Sequence, residues 1–500
     1  MIGVAFAAFV VCCVLPIAYL VATTLGAAGG PSAAILLDSR QRGLLSNTAL
    51  LGVGAAVVAT AIGAPLGVAL ARVPLRRKAL LRLIAAAPVL LPPYVVALAW
   101  IYLGVSEWTY SIPAAVLILG LLLYPISMLA TEAAMRRVEG RLEEAALIVA
   151  PPRRVLRRIT LPLVAPSIVA AALIIFVLAI SEFGVPGLLR VRVYTTEVFT
   201  AFAALYDFSR AVVLAVPLLV VCAVVAVVAA VLLGERLVVT RRSSSGSPVV
   251  FGGWRRPAEV AMVGVIATAV VLPVLVLGRE ALAGRSLPAA VAGSAAAIVN
   301  SLSLAAMGAT LVVALALWLG LAQARARRAY RRAAQVVLVL LFAVPSTIVG
   351  IGLIGVWNRP GFFGALYGTD AMFLLAYLAR FVPVAALILA ATAQTVSVSQ
   401  EEAAAAGGAG WLRTIGGIVL PQMHVGIAAA WVVAFVLAFG ELGVSILVAP
   451  PGEATLPIRV YTMIANAPSS QVAALALFQS LVIFTPLAAF AAAASLRKVP

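Results

Sequence analysis

The chain contains twelve long runs of apolar residues, each separated from the next by a short polar stretch. About 20 apolar residues in an α-helix cross a bilayer core, so each run is long enough to span a membrane. The runs are continuous, whereas the strands of a transmembrane barrel alternate apolar and polar residues. The sequence therefore predicts an all-α polytopic membrane protein with about twelve transmembrane helices. The runs are residues 3–25, 47–71, 83–103, 113–135, 163–189, 211–234, 259–278, 298–322, 335–356, 371–394, 424–448 and 472–495.

Charge is sparse and unevenly placed along the chain. Charged residues make up 10% of the sequence, whereas a soluble domain carries about 25%. The net charge of +18 does not indicate a nucleic-acid partner, because the basic residues gather in alternate loops, as membrane topology requires of cytoplasmic loops. This distribution predicts that both termini are cytoplasmic. The basic clusters lie within residues 72–82, 136–158, 236–256 and 325–332.

The two halves of the chain resemble each other, and the matched positions are spread over most of each half. This indicates a duplication into two parallel six-helix repeats, residues 1–240 and 258–500, joined by a cytoplasmic linker at 241–257. The matched pairs are Asn47-Thr48 with Asn300-Ser301, Ala71-Arg72 with Ala324-Arg325, Pro92 with Pro345, Pro125 with Pro383, Glu144 with Glu402, Pro162 with Pro421, and Glu182 with Glu441.

One polar loop occurs in both halves, before the fifth and the eleventh apolar runs. It reads Glu143-Glu144-Ala145-Ala146 in the first loop and Glu401-Glu402-Ala403-Ala404 in the second, and each loop ends in Leu-Pro. Alanine is the best helix former, and Gly408 tolerates the positive φ of a turn, so a short helix, a turn and a second short helix are predicted. An ordinary re-entry loop is the alternative. Two copies favour a paired docking element for a two-fold symmetric partner.

These loops resemble the Glu-Ala-Ala loop of bacterial binding-protein-dependent ABC transporter permeases. The second loop matches at every landmark, whereas the first has Ala150-Pro151-Pro152 in place of the glycine turn. The resemblance implies the type I ABC importer permease fold, a multi-pass location in the bacterial inner membrane, and coupling to two cytoplasmic ATP-binding subunits. It also implies an extracytoplasmic substrate-binding protein. The residues that it assigns to ATPase coupling are Glu144, Ala145, Ala146, Glu402, Ala403, Ala404 and Gly408.

The chain is not expected to be an enzyme itself. It contains no Gly-x-x-x-x-Gly-Lys-Ser/Thr phosphate loop, so ATP and Mg are expected on the partner ATPase, with no cofactor in this chain. Its three cysteines lie in apolar runs and its single histidine, His424, has no cysteine or histidine near it in sequence, which predicts no metal site.

The fused two-repeat layout and the pattern Phe-x-x-x-x-x-Glu-x-Gly in both fifth spans resemble the ferric-iron permeases of this superfamily. Ferric iron is therefore the expected substrate, with thiamine or a phosphonate as the alternatives. A more remote alternative is an ion-coupled secondary transporter. That class would use Glu182 and Glu441 as coupling carboxylates, but it leaves the paired loops without a role.

Glu182, Glu441 and Arg380 are ionisable residues inside apolar runs, where charges are costly and usually functional. Glu182 and Glu441 are candidates for a cation pathway, because hard oxygen ligands suit Fe³⁺; alternatively, each holds a neighbouring helix or loop by a hydrogen bond. Arg380 is expected to pair with Glu441 or Glu182, or to receive an anion. The spacing Gly63-x-x-x-Gly67 predicts close helix packing, and Pro92-Pro93 and Pro345 predict bends in the third and ninth spans.

Overall fold

The computed structural model describes residues 2–26, 39–104, 107–234, 251–284, 287–361 and 363–496. All regular secondary structure in these ranges is helical. Within the described ranges, ten helical segments are long and apolar enough to cross a membrane, and two sharply bent helix pairs raise the number to twelve if each is one span. This confirms the predicted all-α polytopic membrane fold with about twelve spans.

The helices of the first half include spans one to six, the first loop and two short helices after the fifth span. They are α1 (Ile2–Phe9), α2 (Leu15–Gly26), α3 (Ser39–Arg72), α4 (Lys78–Ala86), α5 (Pro93–Tyr102), α6 (Ile112–Met135), α7 (Gly140–Leu147), α8 (Pro152–Val155), α9 (Leu161–Ser181), α10 (Gly184–Leu188), α11 (Tyr194–Phe199) and α12 (Phe208–Gly234).

The helices of the second half repeat this order. They are α13 (Arg255–Ile266), α14 (Leu272–Ala283), α15 (Leu287–Ala292), α16 (Ala295–Arg325), α17 (Arg328–Ala343), α18 (Ser346–Trp357), α19 (Ala371–Ala393), α20 (Val398–Ala406), α21 (Trp411–Thr414), α22 (Leu420–Gly440), α23 (Ser445–Val448), α24 (Leu456–Met463) and α25 (Ser469–Leu496).

The chain divides into two compact units that cut across the predicted repeats. Unit 1 comprises Met1–Ser32, Ala201–Val216 and Arg285–Pro500, and unit 2 comprises Ala33–Thr200 and Pro217–Gly284. The first span thus belongs with the second half of the chain, and the seventh span, α13 and α14, with the first half. The repeat boundaries themselves stay predictions. Residues 241–250 of the predicted linker lie outside the described residues, and α13 begins within the linker, at Arg255.

The centre of unit 2 is the contact between α3 and α6. A Cβ atom added to Gly63 would collide with the carbonyl oxygen of Tyr124, and one added to Gly67 would collide with that of Met128. Only glycine lets the two backbones approach this closely, as small residues do in membrane helix pairs. The predicted close packing of Gly63-x-x-x-Gly67 is therefore confirmed.

Unit 1 has the same central pair in α16 and α19. A Cβ atom on Gly320 would lie 2.9 Å from both the backbone nitrogen of Ala390 and the Cβ of Leu389. The first span is added to this unit through α18, where Gly352 faces the backbone of Pro16 and Gly355 faces the ring of Tyr19. The two glycines of α18 thus leave space for α2 to pack against it, which accounts for the placement of the first span in unit 1.

Two spans are broken, as their prolines predict. The bend between the segments of the third span is 91°, and that of the ninth span is 94°. Proline disfavours the helical conformation in the residue before it, and Leu91 and Val344, which precede Pro92 and Pro345, are both extended.

The fifth and eleventh spans start earlier than the sequence predicts. The apolar runs predict these two spans at residues 163–189 and 424–448. Instead the helix is continuous from residue 152 in one case and from residue 411 in the other, through a π-helical turn that precedes each proline. The second short helix of each loop is therefore the first turn of the span.

Candidate functional site

The first loop is built on α7, which carries Glu143 and Glu144 side by side. Successive residues of an α-helix point about 100° apart, so one residue can be buried while the next is exposed. Glu143 is fully buried, whereas Glu144 is exposed. Ala145 is also exposed, so the face of α7 that carries this part of the Glu-Ala-Ala motif is turned outward.

Arg72, the last residue of α3, holds the buried Glu143. Arg72 Nη2 lies 2.9 Å from Glu143 Oε1 and donates a second hydrogen bond, of 3.0 Å, to the carbonyl of Met135 at the end of α6. Thr160 Oγ1 donates to the same carboxylate oxygen at 2.7 Å. The Arg72 and Glu143 side chains retain only 3% and 0% of their exposed area. One carboxylate therefore ties α3 and α6 to α7 and to the turn that starts the fifth span.

Arg325, the last residue of α16, makes the corresponding ion pair with Glu401 on α20. Arg325 Nη1 also donates to the carbonyl of Ala393, the last residue of α19, at 3.2 Å. This pair is more accessible, with 26% and 23% of the side-chain areas exposed. The position of Thr160 is occupied here by Val419, which has no hydroxyl group to donate. Each loop is thus anchored to the corresponding two helices of its own unit, α3 and α6 or α16 and α19. The ion pair of the first loop is the more deeply buried of the two.

The second loop turns at Gly408, as the sequence predicts. Gly408 has a φ of 81°, which a side chain would strain. The N–H of Ala409 donates to the carbonyl of Ala404 at 2.9 Å, which is the long hydrogen bond of a Schellman cap. The exposed face of α20 before this turn carries Glu402 and Ala403.

The first loop replaces this glycine turn with an extended proline. Pro151 has φ −65° and ψ 152°, so it ends the turn and precedes α8. Before it, Ile148 and Val149 are 85% and 82% exposed. The second loop has Ala406 and Gly407 at the corresponding positions. At these two positions the loops therefore differ: the first presents two large aliphatic side chains, and the second presents only a methyl group and a glycine.

Glu182 and Glu441 lie immediately after the helices that were expected to contain them. Both are extended in backbone conformation, because α9 and α22 each end one residue earlier. Glu182 Oε1 accepts a hydrogen bond of 2.7 Å from the N–H of Gly184, and Glu441 Oε1 accepts one of 3.0 Å from Val444. Each carboxylate thus holds the turn into a short helix, α10 or α23, as one of the two alternatives describes. The pathway role stays a prediction.

The glycine of each Glu-x-Gly pattern is required by close packing. A Cβ atom on Gly184 would lie 3.0 Å from Tyr94 Cβ, and one on Gly443 would lie 3.0 Å from Ser346 Cβ. Tyr94 and Ser346 are at the start of α5 and α18, the segments that follow the breaks in the third and ninth spans. The motif is therefore a turn fitted against a broken helix.

Arg380 has a different partner from the one that the sequence predicts. It donates a hydrogen bond to the carbonyl of Val344, the residue before Pro345 at the break between α17 and α18. Its guanidinium also lies 5.9 Å from the ring centroid of Phe342. Among the described residues of unit 1, no carboxylate forms an ion pair with Arg380, so the expected pairing with Glu441 is wrong. The broken helix supplies a carbonyl end whose partial negative charge attracts a cation instead.

In unit 2, a tyrosine makes the corresponding hydrogen bond to a carbonyl beside the broken third span. Leu122 stands at the position that corresponds to Arg380, but Tyr124 on α6 donates its hydroxyl to the carbonyl of Ala85 at 2.7 Å. Ala85 lies at the end of α4, before the break in the third span. In each unit, a polar side chain on α6 or α19 therefore donates a hydrogen bond to a backbone carbonyl next to the bend.

Sequence reasoning missed the roles of Glu143 and Glu401. The family motif directs attention to the following Glu, which the structure places on the exposed face. The available signal was the matched pair Arg72 and Arg325, one basic residue at the end of the second span in each half. A basic residue that recurs at this position indicates an acidic partner nearby.

A helical bundle of about twelve spans with two such loops has the architecture of a transport permease. The chain belongs to the family of binding-protein-dependent transport system inner membrane components, whose model matches residues 63–238 and 312–498. The predicted resemblance to ABC transporter permeases is therefore confirmed, and the protein is a multi-pass membrane permease.

Two relatives extend the match over most of the chain. It is 26% identical over 444 residues to the Fe(3+)-transport system permease protein FbpB 2 of Haemophilus influenzae, which covers 86% of each chain. It is 22% identical over 436 residues to the ferric transport system permease protein FbpB of Actinobacillus pleuropneumoniae, covering 79% of this chain and 63% of the relative. Each of these matches therefore extends over both halves of this chain.

Proposed function

We propose that the chain is the permease subunit of an ABC importer that passes ferric iron from an extracytoplasmic binding protein to the cytoplasm. ATP hydrolysis on two separate cytoplasmic subunits drives the transport. The observation that carries this proposal is the pair of loops, each with an exposed Glu-Ala-Ala face and each anchored by an Arg–Glu ion pair. A surface that is exposed and firmly mounted at two equivalent places suits a partner that pushes on both.

Each part of the loop has a role in this docking. The small side chains of Ala145 and Ala403 let a partner surface approach the helix closely, and Glu144 and Glu402 offer charge-assisted hydrogen bonds to it. Gly408 ends the second docking helix. The ATPase subunits bind ATP and Mg, and this chain supplies no cofactor. The positive charge of the basic loops supports a cytoplasmic location for the docking surfaces and for both termini.

Iron is supported by the two relatives, whose names specify Fe(3+) or ferric transport. It is also supported by the chemistry of Glu182 and Glu441, because carboxylate oxygens are hard ligands that suit Fe³⁺. We place these two residues on the substrate pathway. Arg380, at the bend of the ninth span, orients the helix that borders this region.

Copurification tests the docking. We expect an ATPase to copurify with the tagged chain from its native membrane, and the double variant Glu144→Lys with Glu402→Lys to lose it. A matched control is Glu107→Lys with Asp370→Lys, since both control residues are exposed and lie outside the loops. Retention of the ATPase by the loop variant would contradict the docking, as would its loss from the control.

Uptake tests the substrate. In a strain that lacks the gene, we expect the wild-type chain to restore accumulation of ⁵⁵Fe(III) and to leave thiamine and aminophosphonate uptake unchanged. Restored uptake of either organic substrate without iron would transfer the proposal to that substrate. Full iron uptake in the absence of any ATPase, driven by an ion gradient, would contradict the ABC mechanism.

A further inference from the structure

The helices α3 and α16 make specific contacts at both of their ends. At the inner end, Arg72 and Arg325 are the last residues of these helices and pair with Glu143 and Glu401 on the docking helices α7 and α20. Each arginine also bonds the last residue of the neighbouring span, α6 or α19. A docking helix cannot move without its span unless these bonds break.

The outer end of α3 holds the short helix α11. Asn47 Nδ2 donates to the carbonyl of Arg192 at 3.0 Å, and Thr48 Oγ1 accepts a hydrogen bond of 3.0 Å from the N–H of Tyr194. Tyr194 is the first residue of α11, so the hydroxyl group occupies one of the N–H groups that every helix start leaves unpaired. Thr195 in the same turn donates to the carbonyl of Glu182 at 3.1 Å. The outer end is thus connected to the Glu-x-Gly turn.

The outer end of α16 repeats this arrangement in unit 1. Asn300 Nδ2 donates to the carbonyl of Ala454 at 3.4 Å, and Ser301 Oγ accepts a hydrogen bond of 2.5 Å from the N–H of Leu456. Leu456 is the first residue of α24, and the amide again bonds the carbonyl two residues before it. The same two bonds, made in each unit by an asparagine and the hydroxyl residue that follows it, therefore recur in the two units.

Between its two contact points each helix is continuous. The same number of residues separates Thr48 from Arg72 and Ser301 from Arg325, which at the rise of an α-helix is about 36 Å. The Gly67 and Gly320 contacts brace this length against α6 and α19. A helix that is braced along its side and bonded at both ends transmits displacement as a rigid body.

We propose that α3 and α16 are struts that carry the motion of the docking helices to the short helices α11 and α24 on the far side of each unit. The Arg–Glu pairs are the inner joints and the Asn-Thr or Asn-Ser pairs the outer joints, so these are positioning residues for transport. The proposal rests on the proposed function, because an ATPase must supply the motion. It assigns a role to Glu143 and Glu401 that differs from that of the exposed Glu144 and Glu402.

A reporter on α24 tests the transmission. Arg459 is exposed on this helix, and the native cysteines Cys12, Cys13 and Cys222 are buried, so an environment-sensitive fluorophore attaches selectively to Arg459→Cys. In the complex of the full chain with its copurified ATPase, we expect a non-hydrolysable ATP analogue to change the fluorescence. The change should fall at least fivefold in Glu401→Gln, which breaks the inner joint, and in Ser301→Ala, which breaks the outer one.

Glu107→Gln is the matched control, since it makes the same chemical change at an exposed position that takes part in neither joint. An unchanged signal in Glu401→Gln or Ser301→Ala would overturn the proposal, as would a bound ATPase that produces no signal on α24. If one variant does not fold, the other decides alone, since they act at opposite ends of α16. Absence of any copurified ATPase would instead contradict the proposed function.

Discussion

Arg72 and Glu143 form a fully buried ion pair although 71 residues separate them in the sequence. Burying two charges costs several kcal/mol per ion, which their attraction offsets only when further hydrogen bonds complete the site. Met135 and Thr160 supply two such bonds here, whereas Arg72 Nε is buried without a hydrogen-bond partner in the described part of the chain. An apolar contact would hold two helices together without this cost. The ion pair adds a defined geometry, which a helix that must transmit force requires.

Removal of Glu143 should destabilise the protein far more than removal of its neighbour. Glu143→Ala leaves Arg72 buried without its counter-charge, which costs about 3–5 kcal/mol. Glu144→Ala removes an exposed side chain and should change stability by less than about 0.5 kcal/mol. The thermal unfolding midpoint of each variant, purified in the same detergent, measures the difference. Equal midpoints would show that the buried pair does not anchor α7.

Because α3 packs closely on α6, adding a single methyl group between them should lower the stability of the protein. In Gly67→Ala, the new Cβ meets backbone and side-chain atoms of α6 that cannot move independently, and overpacking of this kind costs about 1–3 kcal/mol. Gly264→Ala is the control, because a Cβ there meets nothing within 4 Å. It should be neutral or stabilising by up to about 1 kcal/mol, the difference in helix propensity. A lower midpoint in the control than in Gly67→Ala would contradict the packing.

The spans, the proline breaks and the turn at Gly408 follow from local rules. Apolar length predicts a span, proline without an N–H predicts a bend, and a glycine after a helix predicts a left-handed cap. The roles of Glu143 and Glu144 do not follow from such rules. They are adjacent and chemically identical, and Glu143 is the buried one because Arg72 and Thr160, both distant in the sequence, bond its carboxylate.

Arg380 shows a second limit of the sequence. A cation in a span suggests a carboxylate partner, and Glu441 and Glu182 were the obvious candidates. The partner is a main-chain carbonyl that becomes available because the ninth span bends at Pro345. Backbone groups are invisible in a search for charged partners, so a bend must be placed in three dimensions before its carbonyls can be considered.

The two docking surfaces should differ in their dependence on apolar contact. Ile148 and Val149 protrude from the first loop, and burying such a side chain contributes about 1.5–3 kcal/mol. Replacing both by Ser removes two such contributions and should therefore weaken binding of the purified ATPase to the chain in nanodiscs by about a hundredfold to ten-thousandfold. Ala406→Ser with Gly407→Ser at the corresponding positions of the second loop is the control. A similar loss in both variants would show that the loops bind alike.

Substitutions of Glu182 and Glu441 distinguish their structural role, which is to hold a turn, from their proposed role in the substrate pathway. Glutamine keeps the oxygen that accepts the backbone N–H but removes the charge, whereas alanine removes both. We therefore expect the double glutamine variant to keep the wild-type unfolding midpoint and the double alanine variant to lose about 1–3 kcal/mol per site. Because the proposed pathway needs the negative charge, ⁵⁵Fe uptake should fall in both, with Asp370→Asn as the control. Full uptake in the glutamine variant would show that the two carboxylates hold their turns and have no role in the pathway, since this variant differs from the wild type only in charge.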